Sequence, residues 1–113
     1  MNVVIITGRL ARDPELRTGN GTVCSMVVAV DRIKEGADFI RVITFGQQAE
    51  NCNRYLAKGR QVAVRGHIQT GSYTSKEGQT VYTTDIVADN VEFLGSGERT
   101  ERRDEEYGYG RSW

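Results

Sequence analysis

The chain carries no net charge, since fifteen Lys and Arg balance fifteen Asp and Glu over its 113 residues. No global positive field therefore marks a nucleic-acid partner, and any basic surface must come from placement on the fold. Histidine is nearly absent: His67 has no companion, so it is expected to be a satisfied strand residue and not a metal ligand. Cys24 and Cys52 form no Cys-x-x-Cys motif and sit in apolar patterns, as reduced, structural thiols of a cytosolic protein do. No apolar run approaches membrane-spanning length. Met1-Asn2-Val3-Val4-Ile5-Ile6 lacks the basic start and long apolar core of a signal peptide. These absences predict a soluble, cytoplasmic protein with no membrane contact.

Catalytic constellations are missing too. Asp85 and Asp89 share one predicted strand, but no Arg or His in the pattern sets them up as an acid–base pair. Gly19-Asn20-Gly21 is a turn and not a phosphate loop, because neither a helix nor a Lys-Ser/Thr pair follows it. An enzyme, a bound metal and a cofactor are all unexpected. At 113 residues the chain is one domain with a real core.

What is present is β-strand. Val3 to Leu10 is apolar on both faces, as a strand covered on each side would be, and Gly8 within it suggests a bend or a close backbone approach. The one proline lies in the turn Asp13-Pro14-Glu15, after which Glu15–Thr18 is expected to return against the first strand. Thr22 to Arg32 is a long β-branched run. Asp38 to Gly46 follows, then a helix over Gln47 to Lys58 with Ala49, Cys52 and Leu56 at helical spacing and Gly59 as its cap. Arg60 to Tyr73 and Thr80 to Leu94 read as a final hairpin, with Gly66 marking a bulge and Ser75–Gln79 the tip. From Gly95 onward nothing has an apolar period, so residues 95–113 are predicted to be a disordered tail containing Tyr107, Tyr109 and Trp113.

Three strands, a helix, then a hairpin is the connectivity of the OB-fold, a five-stranded Greek-key barrel that binds oligonucleotides or oligosaccharides on its second and third strands. The third strand here is unusual. Period-two alternation puts Phe39, Arg41 and Phe45 on one side and Ile40, Val42 and Thr44 on the other. Two rings with a guanidinium between them suit an unpaired, base-bearing polyanion, because stacking accepts any base.

Several ordered motifs carry a family resemblance: Val4-Ile5-Ile6-Thr7-Gly8-Arg9-Leu10 with Asp13-Pro14-Glu15-Leu16-Arg17, then Asp38-Phe39-Ile40-Arg41-Val42. Ala49-Glu50-Asn51 with Tyr55-Leu56-Ala57-Lys58-Gly59, Gly66-His67-Ile68-Gln69-Thr70-Gly71-Ser72-Tyr73 and Tyr82-Thr83-Thr84-Asp85-Ile86-Val87 complete the set. Over residues 2–94 the chain resembles the bacterial single-stranded DNA-binding proteins. The resemblance implies a homotetramer of OB-folds that protects single-stranded DNA in replication, recombination and repair. It implies Phe39, Phe45 and Tyr73 as stacking rings, Arg41 as a basic neighbour, and Tyr55 and Lys58 at the helix end. Arg9, Arg17, Arg32, Lys34 and Lys76 are the further candidates for phosphate contact.

The departures from the family pattern are specific. Arg32-Ile33-Lys34-Glu35-Gly36 is a short loop without the aromatic that many members carry. Gln69-Thr70-Gly71-Ser72 stands where basic residues are common, and Tyr73 where Trp is common. Fewer charges and smaller rings predict weaker or differently distributed binding. The tail ends Tyr109-Gly110-Arg111-Ser112-Trp113 without an acidic tip, so recruitment of replication and repair partners is not expected. The competing reading is an OB-fold interaction module or accessory subunit that has lost DNA binding.

Overall fold

The computed structural model describes residues 1–95. Six strands and one helix follow one another as β1 (Val4–Leu10), β2 (Glu15–Gly19), β3 (Gly21–Asp31), β4 (Ala37–Phe45), α1 (Gly46–Tyr55), β5 (Gln61–Thr74) and β6 (Thr80–Leu94). The strands form one sheet in the order β1-β5-β6-β4-β3-β2, and an additional β1–β3 pairing at Arg9↔Ala29 and Leu10↔Val28 closes five of them into a barrel. This is the expected OB-fold, with the helix between β4 and β5. The β4–β6 pairing is parallel; the others are antiparallel.

The segment Glu15–Gly19 corrects one expectation. It pairs with β3 (Glu15↔Ser25 to Gly19↔Gly21), not with the first strand. The tight reversal at Gly19-Asn20-Gly21 makes hairpin pairing with the next strand the shorter path. β1 and β2 therefore share one edge of β3, β1 at Val28–Ala29 and β2 from Gly21 to Ser25.

The barrel interior is built from the inward positions of each strand: Leu10, Cys24, Met26, Val28, Val42, Val62, Val64, Ile86 and Ala88, all buried. Ala49, Cys52 and Leu56 of α1 and its C-terminal end join the same core. Thr44 is the one buried polar side chain among the described residues, and its hydroxyl donates to the Cys24 carbonyl at 3.1 Å. Both cysteines are free and buried, and desolvation pushes the Cys52 thiol up to about 11. Such a thiol stays neutral and inert at neutral pH.

Three glycines make local geometry feasible. Gly46 has φ +64°, which lets Phe45 remain extended and the chain enter α1 without a loop. At Gly66 a Cβ would run into the Val87 carbonyl, and the ladder slips in register between Arg65 and Gly66, the expected bulge. Gly8 likewise lies against the Ala29 carbonyl, as the close approach required. The bulge leaves Asp89 without a partner in the β5–β6 ladder, and Gln48 of α1 engages the β6 backbone on either side of it. The Val91 N–H donates to Gln48 Oε1 at 2.9 Å.

The helix is shorter than its periodicity implies. It ends at Tyr55, and Leu56 is already extended while its N–H reaches the Cys52 carbonyl. The Lys58 N–H donates instead to Asp13 Oδ1 at 2.8 Å, and the Gly59 N–H to the Leu10 carbonyl. Contacts to the β1–β2 turn thus replace a last helical turn, and Lys58 lies outside the helix. The outer side of the first strand is open in the single chain: Ile5, and Val3 just ahead of the strand, are 70% and 59% exposed.

Candidate nucleic-acid interface

Strand parity places the candidate site on the outer surface of the barrel. Along β4 the buried side is Val42 and Thr44, with Ile40 packed against the core, while Phe39, Arg41 and Phe45 face outward. Phe39 is 67% exposed and Phe45 53%, large costs in apolar hydration for rings that a core could have taken.

Cross-strand register extends this surface sideways. Phe39 sits opposite Ala29, which is opposite Arg9 on β1; Phe45 sits opposite Val23, which is opposite Arg17 on β2. Since directly opposed residues share a face, each ring is the end of a row whose other end is an arginine. Between the rows, Arg41 faces Val27, and Ile43 faces Ser25, itself opposite Glu15. Small or β-branched residues on β3 thus leave a shallow floor between aromatic and basic borders.

The same face continues onto the long hairpin. Ile43 is paired with Val87, Val87 with His67, and two-residue steps along that ladder reach Val81 and its partner Tyr73. Tyr73 is 58% exposed and by parity shares the outer face with Phe39. Tyr82, opposite Ser72, points to the other face of the hairpin and is 80% exposed. Alternation along the last strand separates Tyr82 from Val81, but burial alone reveals that its ring is free.

The remaining candidates lie elsewhere. Tyr55, at the helix end, packs its ring 6.4 Å from that of Phe93 at a 50° tilt, with the Arg54 guanidinium 5.9 Å from the Tyr55 centroid. Lys58 is drawn to the β1–β2 turn by its backbone bond to Asp13. Lys34 and Arg32 sit in the exposed β3–β4 loop. Arg32 is engaged there: its Nε and one terminal nitrogen donate to Asp38 Oδ1 at 3.0 and 2.8 Å. The hydrogen bond and charge of Asp38 raise the Arg32 pKa further. His67 lies 3.8 Å from Asp89, a proximity that sequence spacing did not disclose because it arises across the β5–β6 ladder. Both groups are substantially exposed. No group of three potential metal ligands occurs among the described residues.

A closed five-stranded barrel with a helix between β4 and β5, carrying solvent-facing rings and arginines on β4 and its neighbours, defines an oligonucleotide-binding barrel of the OB class. Residues 1–94 match the model of the single-strand binding protein family, and the chain belongs to that family. Its members are non-enzymatic DNA-binding proteins. The chain is 44% identical over 118 residues to a single-stranded DNA-binding protein of Clostridium perfringens, covering 100% of this chain and 79% of that one. It is 48% identical over 102 residues to single-stranded DNA-binding protein 1 of Staphylococcus aureus, covering 83% of this chain and 65% of the relative. Against a single-stranded DNA-binding protein of Clostridium tetani the identity is 47% over 107 residues, 88% of this chain and 74% of the relative. No helix among the described residues is long and apolar enough to cross a membrane.

Proposed function

We propose that the chain binds single-stranded DNA with little dependence on sequence, as a homo-oligomer of OB barrels, and protects exposed strands in replication, recombination and repair. Phe39, Phe45 and Tyr73 stack bases, Arg41 contacts the adjoining phosphate or base, and Arg9 and Arg17 hold phosphates at the ends of the two aromatic rows. Tyr55, Lys58, Lys34 and Arg32 extend the path beyond that face. The observation that carries this reading is the outward exposure of Phe39 and Phe45 on either side of Arg41, on the strand where family members carry their stacking rings. A homotetramer matches the uncovered apolar outer face of β1, with Ile5, and Val3 just ahead of the strand, available for a second copy. A cytoplasmic, nucleoid-associated location accords with that role.

Duplex DNA is excluded by the same physics, because paired bases are already stacked and cannot meet a ring. Anisotropy of a labelled oligo-dT against the matching duplex, across salt, tests the proposal. The single strand should bind strongly and lose affinity with salt at a slope near −0.7 for each phosphate contacted. Phe39→Ala and Tyr73→Ala should each weaken binding by about 1–3 kcal/mol. Equal affinity for duplex and single strand, or indifference to both substitutions, would sink the assignment.

A further inference from the structure

Between the two aromatic rows lies a pocket lined by Arg12, Asp13, Glu15, Ser25, Met26, Val27 and Arg41. Its position follows from register: Arg41 faces Val27, while Ser25 faces Glu15 on one side and Ile43 on the other. Phe39 and Phe45 are six residues apart on one strand, about 20 Å at about 3.3 Å per residue. On the path proposed above, nucleotides crossing that interval would have no ring of β4 beneath them and would lie over this pocket.

The lining is electrically mixed, two arginines against two carboxylates. A phosphate clamp would be one-signed, and here Glu15 and Asp13 would repel a phosphate as Arg12 and Arg41 attracted it. Asp13 is already an acceptor for the Lys58 N–H. Glu15, Arg12 and Arg41 take part in no salt bridge among the described residues, whose ion pairs are Arg32–Asp38 and His67–Asp89. An unspent carboxylate and unspent guanidinium groups lining one pocket suit a ligand that offers donors and acceptors on the same edge.

A nucleobase edge does so, and the four bases differ in a way this pair can sense. Guanine presents two adjacent donors, N1–H and the N2 amino group, next to the O6 acceptor. A carboxylate can take both donors with its two oxygens, while arginine is a natural partner for O6 and N7. Thymine offers one donor between two acceptors, and cytosine and adenine a single amino group. We infer that the Glu15–Arg41 pocket is a base-edge site that favours guanine, superimposed on otherwise sequence-tolerant stacking. Glu15 accepts from N1–H and the N2 amino group, and Arg41, with Arg12 at the rim, donates to the acceptor edge. This rests on the single-strand binding proposed above.

The test uses the full chain and labelled oligo-dT in which every third thymidine is replaced by dG, dA or deoxyinosine, the last lacking only the N2 amino group. The dG oligomer should bind about fivefold or more tighter than the deoxyinosine and dA oligomers. Glu15→Gln should bring the dG oligomer down to the deoxyinosine level; Glu15 is exposed on an edge strand, so folding is not at issue. Equal affinities for dG and deoxyinosine, a dA oligomer as tight as the dG one, or a dG advantage that survives Glu15→Gln would each overturn the inference while leaving the DNA-binding proposal standing. Failure of the wild type to hold unsubstituted oligo-dT would overturn both.

Discussion

Arg32 shows how far a single residue's role depends on its neighbour. As a loop cation it is a candidate phosphate contact, but Asp38 holds it through two hydrogen bonds from one guanidinium to one carboxylate oxygen. A phosphate reaching Arg32 must compete with that carboxylate, and both partners are exposed enough for the competition to be real. Asp38→Asn removes the competing charge and keeps the shape. Affinity for oligo-dT should rise and the salt dependence should steepen by about 0.7, one further phosphate contacted. An unchanged slope in the anisotropy titration would place Arg32 off the DNA path. At this scale the sequence was informative where period two rules: the outward placement of Phe39, Arg41 and Phe45 needs only strand alternation. The Arg32–Asp38 clamp, the His67–Asp89 approach and the Glu15–Arg41 pocket were illegible, because each depends on how turns set the pairing of strands and not on composition.

At the scale of elements, the sequence named the strands well and their ends less well. Ala49, Cys52 and Leu56 are all apolar at helical spacing, and all are buried, yet the helix stops at Tyr55. Periodicity could not reveal that Asp13, forty-five residues away, offers the Lys58 N–H a better partner than another helical turn would. Likewise Glu15–Thr18 reads as a return strand, and only the hairpin turn decides which strand it returns to. The bulge at Gly66, by contrast, was legible from one glycine within a β-branched run. It also makes a sharp prediction. A methyl group at Gly66 would meet the Val87 carbonyl and the Ala88 Cα, backbone atoms that cannot swing aside. Gly66→Ala should therefore destabilise the barrel by about 1–3 kcal/mol, seen as a lower urea midpoint with the slope unchanged. The same change at Gly71, whose nearest neighbour is the Thr83 hydroxyl at 3.2 Å, should cost much less.

For the whole molecule, closure of the barrel and extension of its last hairpin pull in different directions. β5 and β6 run for fourteen and fifteen residues, but their buried positions end at Gly66 on one strand and begin at Ile86 on the other. Everything from Gln69 to Thr84 is a two-stranded ribbon with no core beneath it, and ribbons of that kind are marginal in water. Its amides should exchange hydrogen far faster than those of Val62, Val64 or Val42, with the boundary falling near Ile68 and Ile86; uniform protection along both strands would contradict this. The ribbon therefore works as a built-in gauge of whatever comes to rest on it. A second copy of the chain should slow its deuterium uptake as protein concentration rises, whereas a bound oligonucleotide should do so at fixed concentration and around Tyr73 first.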